Sequence, residues 1–434
     1  MTIPVVLLTL AAAGCPMSHC DPAMSDQARV PPPRAAAAHW LDAGAASGSQ
    51  GLGCSADGRV AACTFGDRSG DRTRPYLKVY DAGGRVRWTA GAELNAWAWT
   101  SVPLIARNGD VIAADDERLV RFSSAGRVRW RAATPGGAPI SPTRTADGTI
   151  VLATAGGPVS AYAPDTGRRL ATLDLRATLD GLSGRFDTTN TPGVRGNRLY
   201  VSTQLTLDDG RLDPNHHARL YAIDVDPGAR PARRLRVAWH FDFGARSGAS
   251  PLVVGDLIVF DGDRAAPDGP LAPRFFALRD RGDRPQLVWE HELGGPGVAS
   301  AALDPRGGAW VFSFGGPTVR RLSLRDGRVV QTVDLDALVG AEGEQHNPFS
   351  AMTIAGGPGE PPTMLVSARS NASAYLLAVD LAANTLRWRH RLAGPVFQDT
   401  PMGQFPVVEG TDGRRAVVFT TRRGVQAVVG PGRR

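Results

Sequence analysis

Lysine is almost missing from this chain. Lys78 is the only one, so arginine carries nearly all the positive charge of the 434 residues. No dense basic cluster with interleaved aromatics occurs. The net charge of +7 and the pI near 9.7 therefore do not amount to a nucleic-acid footprint. Long hydrophobic runs are missing too. The one strongly apolar stretch, Ile3 to Ala13, is too short to span a bilayer. Cysteine is scarce, with only Cys15, Cys20, Cys54 and Cys63, and no Cys/His spacing resembles a zinc site, so no metal is expected. What the chain has in quantity is turn chemistry. Its 51 glycines and 33 prolines recur at short intervals, as they do between many short strands.

Ile3 to Ala13 reads as the apolar region of a signal peptide. It ends in Ala12-Ala13-Gly14-Cys15, small residues before a cysteine, which resembles a bacterial lipobox. Alanine three residues before Cys15, where leucine is usual, and the lack of Lys or Arg before it are departures. Residues 1–15 are therefore expected to direct export, with a lipid on Cys15 anchoring the protein in the periplasm or at the outer membrane. Residues 16–37, rich in Pro and Ala and including Pro31-Pro32-Pro33, read as a tether. Residues 38–434 read as a single domain. Cys54 and Cys63 flank the Asp57-Gly58 turn of one expected hairpin. They could pair in an oxidising compartment or stay as two buried thiols.

From Trp40 onward a repeat governs the chain. A short apolar strand leads through a Gly-containing turn to a Trp, as in Leu77 to Trp88 and Leu119 to Trp130. The Trp-type position falls at Trp40, Trp88, Trp130, Leu173, Trp239, Trp289, Val333 and Trp388. A Ser or Thr follows most of them at a nearly fixed distance: Ser101, Ser141, Ser250, Ser300 and Thr400. Each unit then holds four short strands, which is a propeller blade. A lone twisted sheet leaves both faces bare; radial stacking covers them, and the Trp is large enough to dominate the contact. Eight such positions predict an eight-bladed all-β propeller. The last unit ends at its third strand, 425–429, while Trp40 lies on a strand with no unit before it. Trp40 should therefore complete the last blade and close the ring.

Ala161-x-x-x-Asp165-Thr166-Gly167, and the run from Tyr80 through Asp81 and Gly84 to Trp88, resemble the repeat of pyrroloquinoline-quinone (PQQ) propellers over about residues 38–430. That family, quinoprotein-like and akin in shape to WD40 rings, includes quinone-dependent dehydrogenases. It also includes non-catalytic propellers, among them the lipoprotein of the outer-membrane β-barrel assembly machine. The dehydrogenases carry an adjacent Cys-Cys pair near the quinone and calcium ligands with an aspartate base. This chain has no Cys-Cys pair and no Cys-x-x-Cys-His haem site. The resemblance thus implies a monomeric, non-enzymatic scaffold that binds envelope proteins, with no PQQ or calcium. A dehydrogenase or small-ligand binder using the central tunnel is the alternative. Gly356-Gly357-Pro358-Gly359 reads as a turn, His216-His217 points two ways along an extended chain, and Asp261-Gly262-Asp263 reads as a polar loop.

Strands within a blade alternate in direction. Connections between blades therefore share one face with connections between second and third strands. The long connections concentrate there, around 66–75, 175–191, 204–218, 261–273 and 334–349. Loops that vary on a rigid scaffold are where binding is expected. The inner rim of that face should carry Trp97, Trp99, Arg185, Asp187, Asn190, Arg246, Gln345, His346, Asn347, Gln398 and Asp399. Trp97 and Trp99 suit either an exposed aromatic pair or buried packing between blades.

Overall fold

Runs of Val, Ile, Leu and Ala four to nine residues long, closed by Gly turns, form antiparallel four-stranded sheets arranged as the eight blades of a propeller. The structure is a computed structural model, and it describes residues 14–43, 49–67, 76–90, 93–94, 101–137, 139–156, 158–213, 217–244, 248–265, 271–292, 294–295, 300–313, 315–340 and 342–432. Blades 1 to 7 take their strands from 49–90, 104–133, 143–173, 185–243, 252–292, 302–334 and 347–391.

Blade 8 joins a strand from early in the sequence to three from its end. Val407–Glu409, Arg415–Thr421 and Gly424–Val429 supply three strands, and Ala38–Asp42 supplies the fourth. Trp40 lies opposite Ala427 in that antiparallel pair. The ring is thus closed by the strand the sequence assigned to it. Closure leaves no blade with a bare face, and the middle strands are almost wholly buried.

Blades join by a repeated contact. The indole of one blade lies on the turn glycine between the third and fourth strands of the next: Trp40 on Gly84, Trp88 on Gly126, Trp130 on Gly167 and Trp289 on Gly327. All four glycines have positive φ. A bulge lies beside Trp88, Trp130 and Trp289; Val128 pairs with Phe122, yet Trp130 pairs with Arg121. The ring nitrogen then donates to a carbonyl of the next blade, from Trp88 to Ser124, Trp130 to Pro164 and Trp289 to Leu324. Trp239 donates instead to the Asp280 carboxylate, at 2.9 Å.

Residues 16–37 are not a solvated tether. Their main chain is laid along the innermost strands of the ring as a cord. Carbonyls of Cys15, Pro16, Pro22, Ala23, Ser25, Asp26 and Ala28 accept from Ala56, Ile105, Val194, Val253, Leu303, Ile354 and Gly356 in turn. Gln27–Ala28 pairs in parallel with Thr353–Ala355. Met17, Met24, Ala28 and Val30 are buried among the blades. The Pro- and Ala-rich composition suggested an unstructured link. The physical reason it orders is that the innermost strands have N–H groups facing the centre, and the cord supplies their acceptors.

Candidate functional site

The centre of the ring is crossed by the cord's own side chains. Gln404, at the start of blade 8, donates to the carbonyls of Met17 and Cys54 and accepts from the His19 N–H. Ser18 meets Thr191 of blade 4 at 3.2 Å. His19 Nδ1 is 2.8 Å from Asp26 Oδ2, and its Nε2 is 3.3 Å from Ser300 Oγ of blade 6. Burial drives the Asp26 pKa up, against the pull of His19. This Ser-His-Asp row is wholly buried, and Ser300 Oγ also accepts the Ser250 N–H. It ties cord to ring. Ser250 and Ser300 belong to the Ser/Thr marks that open successive blades, so the sequence repeat foreshadowed part of the inner polar ring but not the cord that fills it.

A quinone in the central tunnel would need that space. The cord's main chain and side chains fill it, the chain has no adjacent cysteines, and among the described residues no three His, Cys, Asp or Glu side chains converge as metal ligands. The residues at the centre do not fit a quinone–calcium site. Asp261, expected on a polar loop, is fully buried in the strand Leu257–Ala265.

Cys15, the expected lipid carrier, has no exposed surface, and its sulfur is bonded to Cys20. Cys54 and Cys63 lie directly opposite each other in the first hairpin of blade 1 and are bonded.

The upper face, where connections between blades emerge, holds the expected rim. Trp97, Trp99 and Arg246 lie outside the described residues. Arg185 and Asp187, two apart on one strand, form an ion pair at 2.7 Å. Asn190 is half-buried and donates to the Gly248 carbonyl. Gln345 is exposed and Asn347 half-buried. His346 and Asp399 are buried, so neither side chain is offered to a partner. His346 is held between Asp336 on the short helix Leu335–Val339 and Ser373 on a turn of blade 7, both at 3.1 Å. Asp399 accepts from the Gly394 N–H, Arg423 and Gln426. Counting positions before each blade start located these residues, but it could not tell which way they turn.

What the sequence reading passed over is Phe397. It sits beside the exposed Gln398 on the short helix Val396–Asp399 between blades 7 and 8, and it is 58% exposed. The Arg422 guanidinium lies 3.7 Å from its ring centroid. A second pair, Arg369 over Phe349 at 4.1 Å, lies on the same face one blade earlier. A large exposed apolar residue next to Thr400, which opens blade 8, was the signal available.

No curated protein matches by sequence. Among solved structures, the fold resembles the quinohemoprotein alcohol dehydrogenase of Comamonas testosteroni at 12% identity, with TM-score 0.60, 98% of this chain covered and 82% of that one. It resembles BamB of Moraxella catarrhalis at 12% identity, with TM-score 0.50 and coverage of 85% and 94%. A europium-containing methanol dehydrogenase gives TM-score 0.58 at 12% identity, with coverage of 94% and 90%. Likeness at this identity speaks for the ring alone. The family model described as outer membrane protein assembly factor BamB matches residues 34–279, more than half of the sequence. That match covers blades 1 to 4, with the Trp40–Gly84, Trp88–Gly126 and Trp130–Gly167 contacts, and most of blade 5, and the chain belongs to the BamB-like family of PQQ-type propellers.

Proposed function

We propose that this protein is an exported, non-enzymatic propeller that binds protein partners of the cell envelope through its upper face. The observation that carries the proposal is the division of labour between centre and rim. The tunnel is filled by the cord, while the upper face presents Phe397 to solvent over the half-buried Arg422. An exposed aromatic backed by arginine is the pairing that anchors protein interfaces. Export is supported by the apolar leader and by two disulfides, which persist in oxidising compartments. The BamB-like family suggests that the partners are outer-membrane assembly proteins. A lipid on Cys15 would consume the sulfur bonded to Cys20, so the buried disulfide favours export with Cys15 unlipidated.

A photo-crosslinking residue placed at 397, and a second at 108 on the opposite face, test the proposal in intact cells. Envelope proteins should crosslink from 397 and not from 108. Phe397→Ala should leave the melting temperature unchanged and reduce recovery of the same partner by tenfold or more. Equal crosslinking from both positions would overturn the assignment of this face.

A further inference from the structure

Around the ring, the cord's main chain bonds to the innermost strands of blades 1, 2, 4, 5, 6 and 7. It skips blade 3. There, on the lower face, a cavity of about 560 Å³ opens between the cord and the first turns of blades 2, 3 and 4. That size is within the roughly 300–1,000 Å³ of small-molecule sites. Three arginines line it: Arg29 from the cord, Arg107 from blade 2 and Arg144 from blade 3. Among the described residues, none of the three has an ion-pair partner.

Several other arginines near such turns are paired. Arg306 in the first turn of blade 6 binds Asp304 at 2.7 Å, Arg121 binds Asp110 at 2.9 Å, and Arg415 binds Glu409 at 3.0 Å. The turns of blades 2, 3 and 6 share one hydrogen-bond pattern, and it places Ala106 and Thr145 where blade 6 has Asp304. Blades 2 and 3 therefore lack, at that turn position, the carboxylate that pairs with arginine in blade 6.

Two carboxylates do line the cavity, Asp21, which also feels the charge of Arg29, and Asp147; neither makes an ion pair with the three arginines. Asp21 accepts from the Ser25 hydroxyl and N–H. Asp147 accepts from the Thr145 hydroxyl, the Thr149 N–H and the Asn197 amide. The Arg144 guanidinium is pushed below its ordinary pKa by burial and then by the neighbouring charge of Arg107. Two like charges share a partly enclosed space, which costs energy until a counter-charge enters.

We propose that this cavity binds a small polyanion, a molecule bearing phosphate or several carboxylate groups, with Arg29, Arg107 and Arg144 as its ligands. Guanidinium groups suit such oxygens because each offers paired N–H donors in one plane. Arg144 and Arg107 are held by blade turns, and Arg29 by the cord. Binding would therefore draw cord and ring together.

Calorimetry on the exported protein with inorganic pyrophosphate and, separately, with citrate tests this. Sodium chloride at matched ionic strength is the reference. Binding of pyrophosphate assigns a phosphate ligand, and binding of citrate a carboxylate one. Arg144→Gln should weaken it at least tenfold. Arg107→Gln, at an exposed position, should weaken it at least threefold while circular dichroism shows the fold intact. The proposal is overturned if neither anion binds, if chloride reproduces the effect, or if the double variant binds as well as the wild type.

Discussion

Trp130 lies flat on Gly167, so close that a Cβ on that glycine would stand 2.5 Å from the indole. The glycine is also at φ +68°, a conformation L side chains rarely adopt. Both facts forbid a side chain at one position. Gly167→Ala should therefore cost about 2–4 kcal/mol, from left-handed strain and overpacking together. Gly210 has positive φ too, but open space around it. Gly210→Ala should cost only about 1 kcal/mol. Chemical denaturation of both variants checks the comparison. Equal losses would show that backbone strain alone, and not docking, explains the glycine.

Ring closure rests on Trp40 in the same way. Its indole packs on Gly84 and stacks with Tyr80 at 5.3 Å between centroids. Trp40→Ala should lower stability by about 3 kcal/mol, the cost of truncating a packed aromatic, and should make the N-terminal strand the first target of protease. A melting temperature equal to wild type would refute closure by this strand.

Asp280 carries a pH dependence. Burial disfavours its carboxylate, but hydrogen bonds from Tyr200, Trp239, the Gly282 N–H and Arg198 overcome that and hold its pKa down to about 2, from 3.8. A folded value below the unfolded one contributes stability above about pH 4 and loses it as pH falls toward 2. The difference corresponds to about 2 kcal/mol. Urea titrations between pH 6 and 2 should show wild type losing that increment while Asp280→Asn, already weaker at pH 6, shows a flatter curve. Parallel curves would remove Asp280 from the acid response.

Cys15 is the position where sequence pattern and structure lead to different chemistry. Cells grown with a radiolabelled fatty acid should leave the wild-type protein unlabelled, and non-reducing mass spectrometry should find the Cys15–Cys20 peptide pair. Label that disappears in Cys15→Ser would restore the lipid anchor and displace the disulfide.

The blade count was readable because the Trp-type position recurs at intervals of 42 to 66 residues, eight times with two aliphatic replacements. Closure was readable for a related reason: an unmatched strand at each end has one partner. The cord was not, since Pro, Ala and a few apolar residues in 16–37 describe a linker equally well until seven inward N–H groups are present to receive it. The rim was half readable. Arg185 and Gln345 are accessible, while His346 and Asp399 turn inward to hold a helix and a loop.

Periodicity thus set the number of blades, their order and the turn residues, because those depend on neighbours within one unit and its successor. Which side chains face solvent, what occupies the centre and where unpaired charge collects depend on residues brought from distant blades. Arg29, Arg107 and Arg144 come from three elements, and only the folding of ring and cord brings them to one cavity.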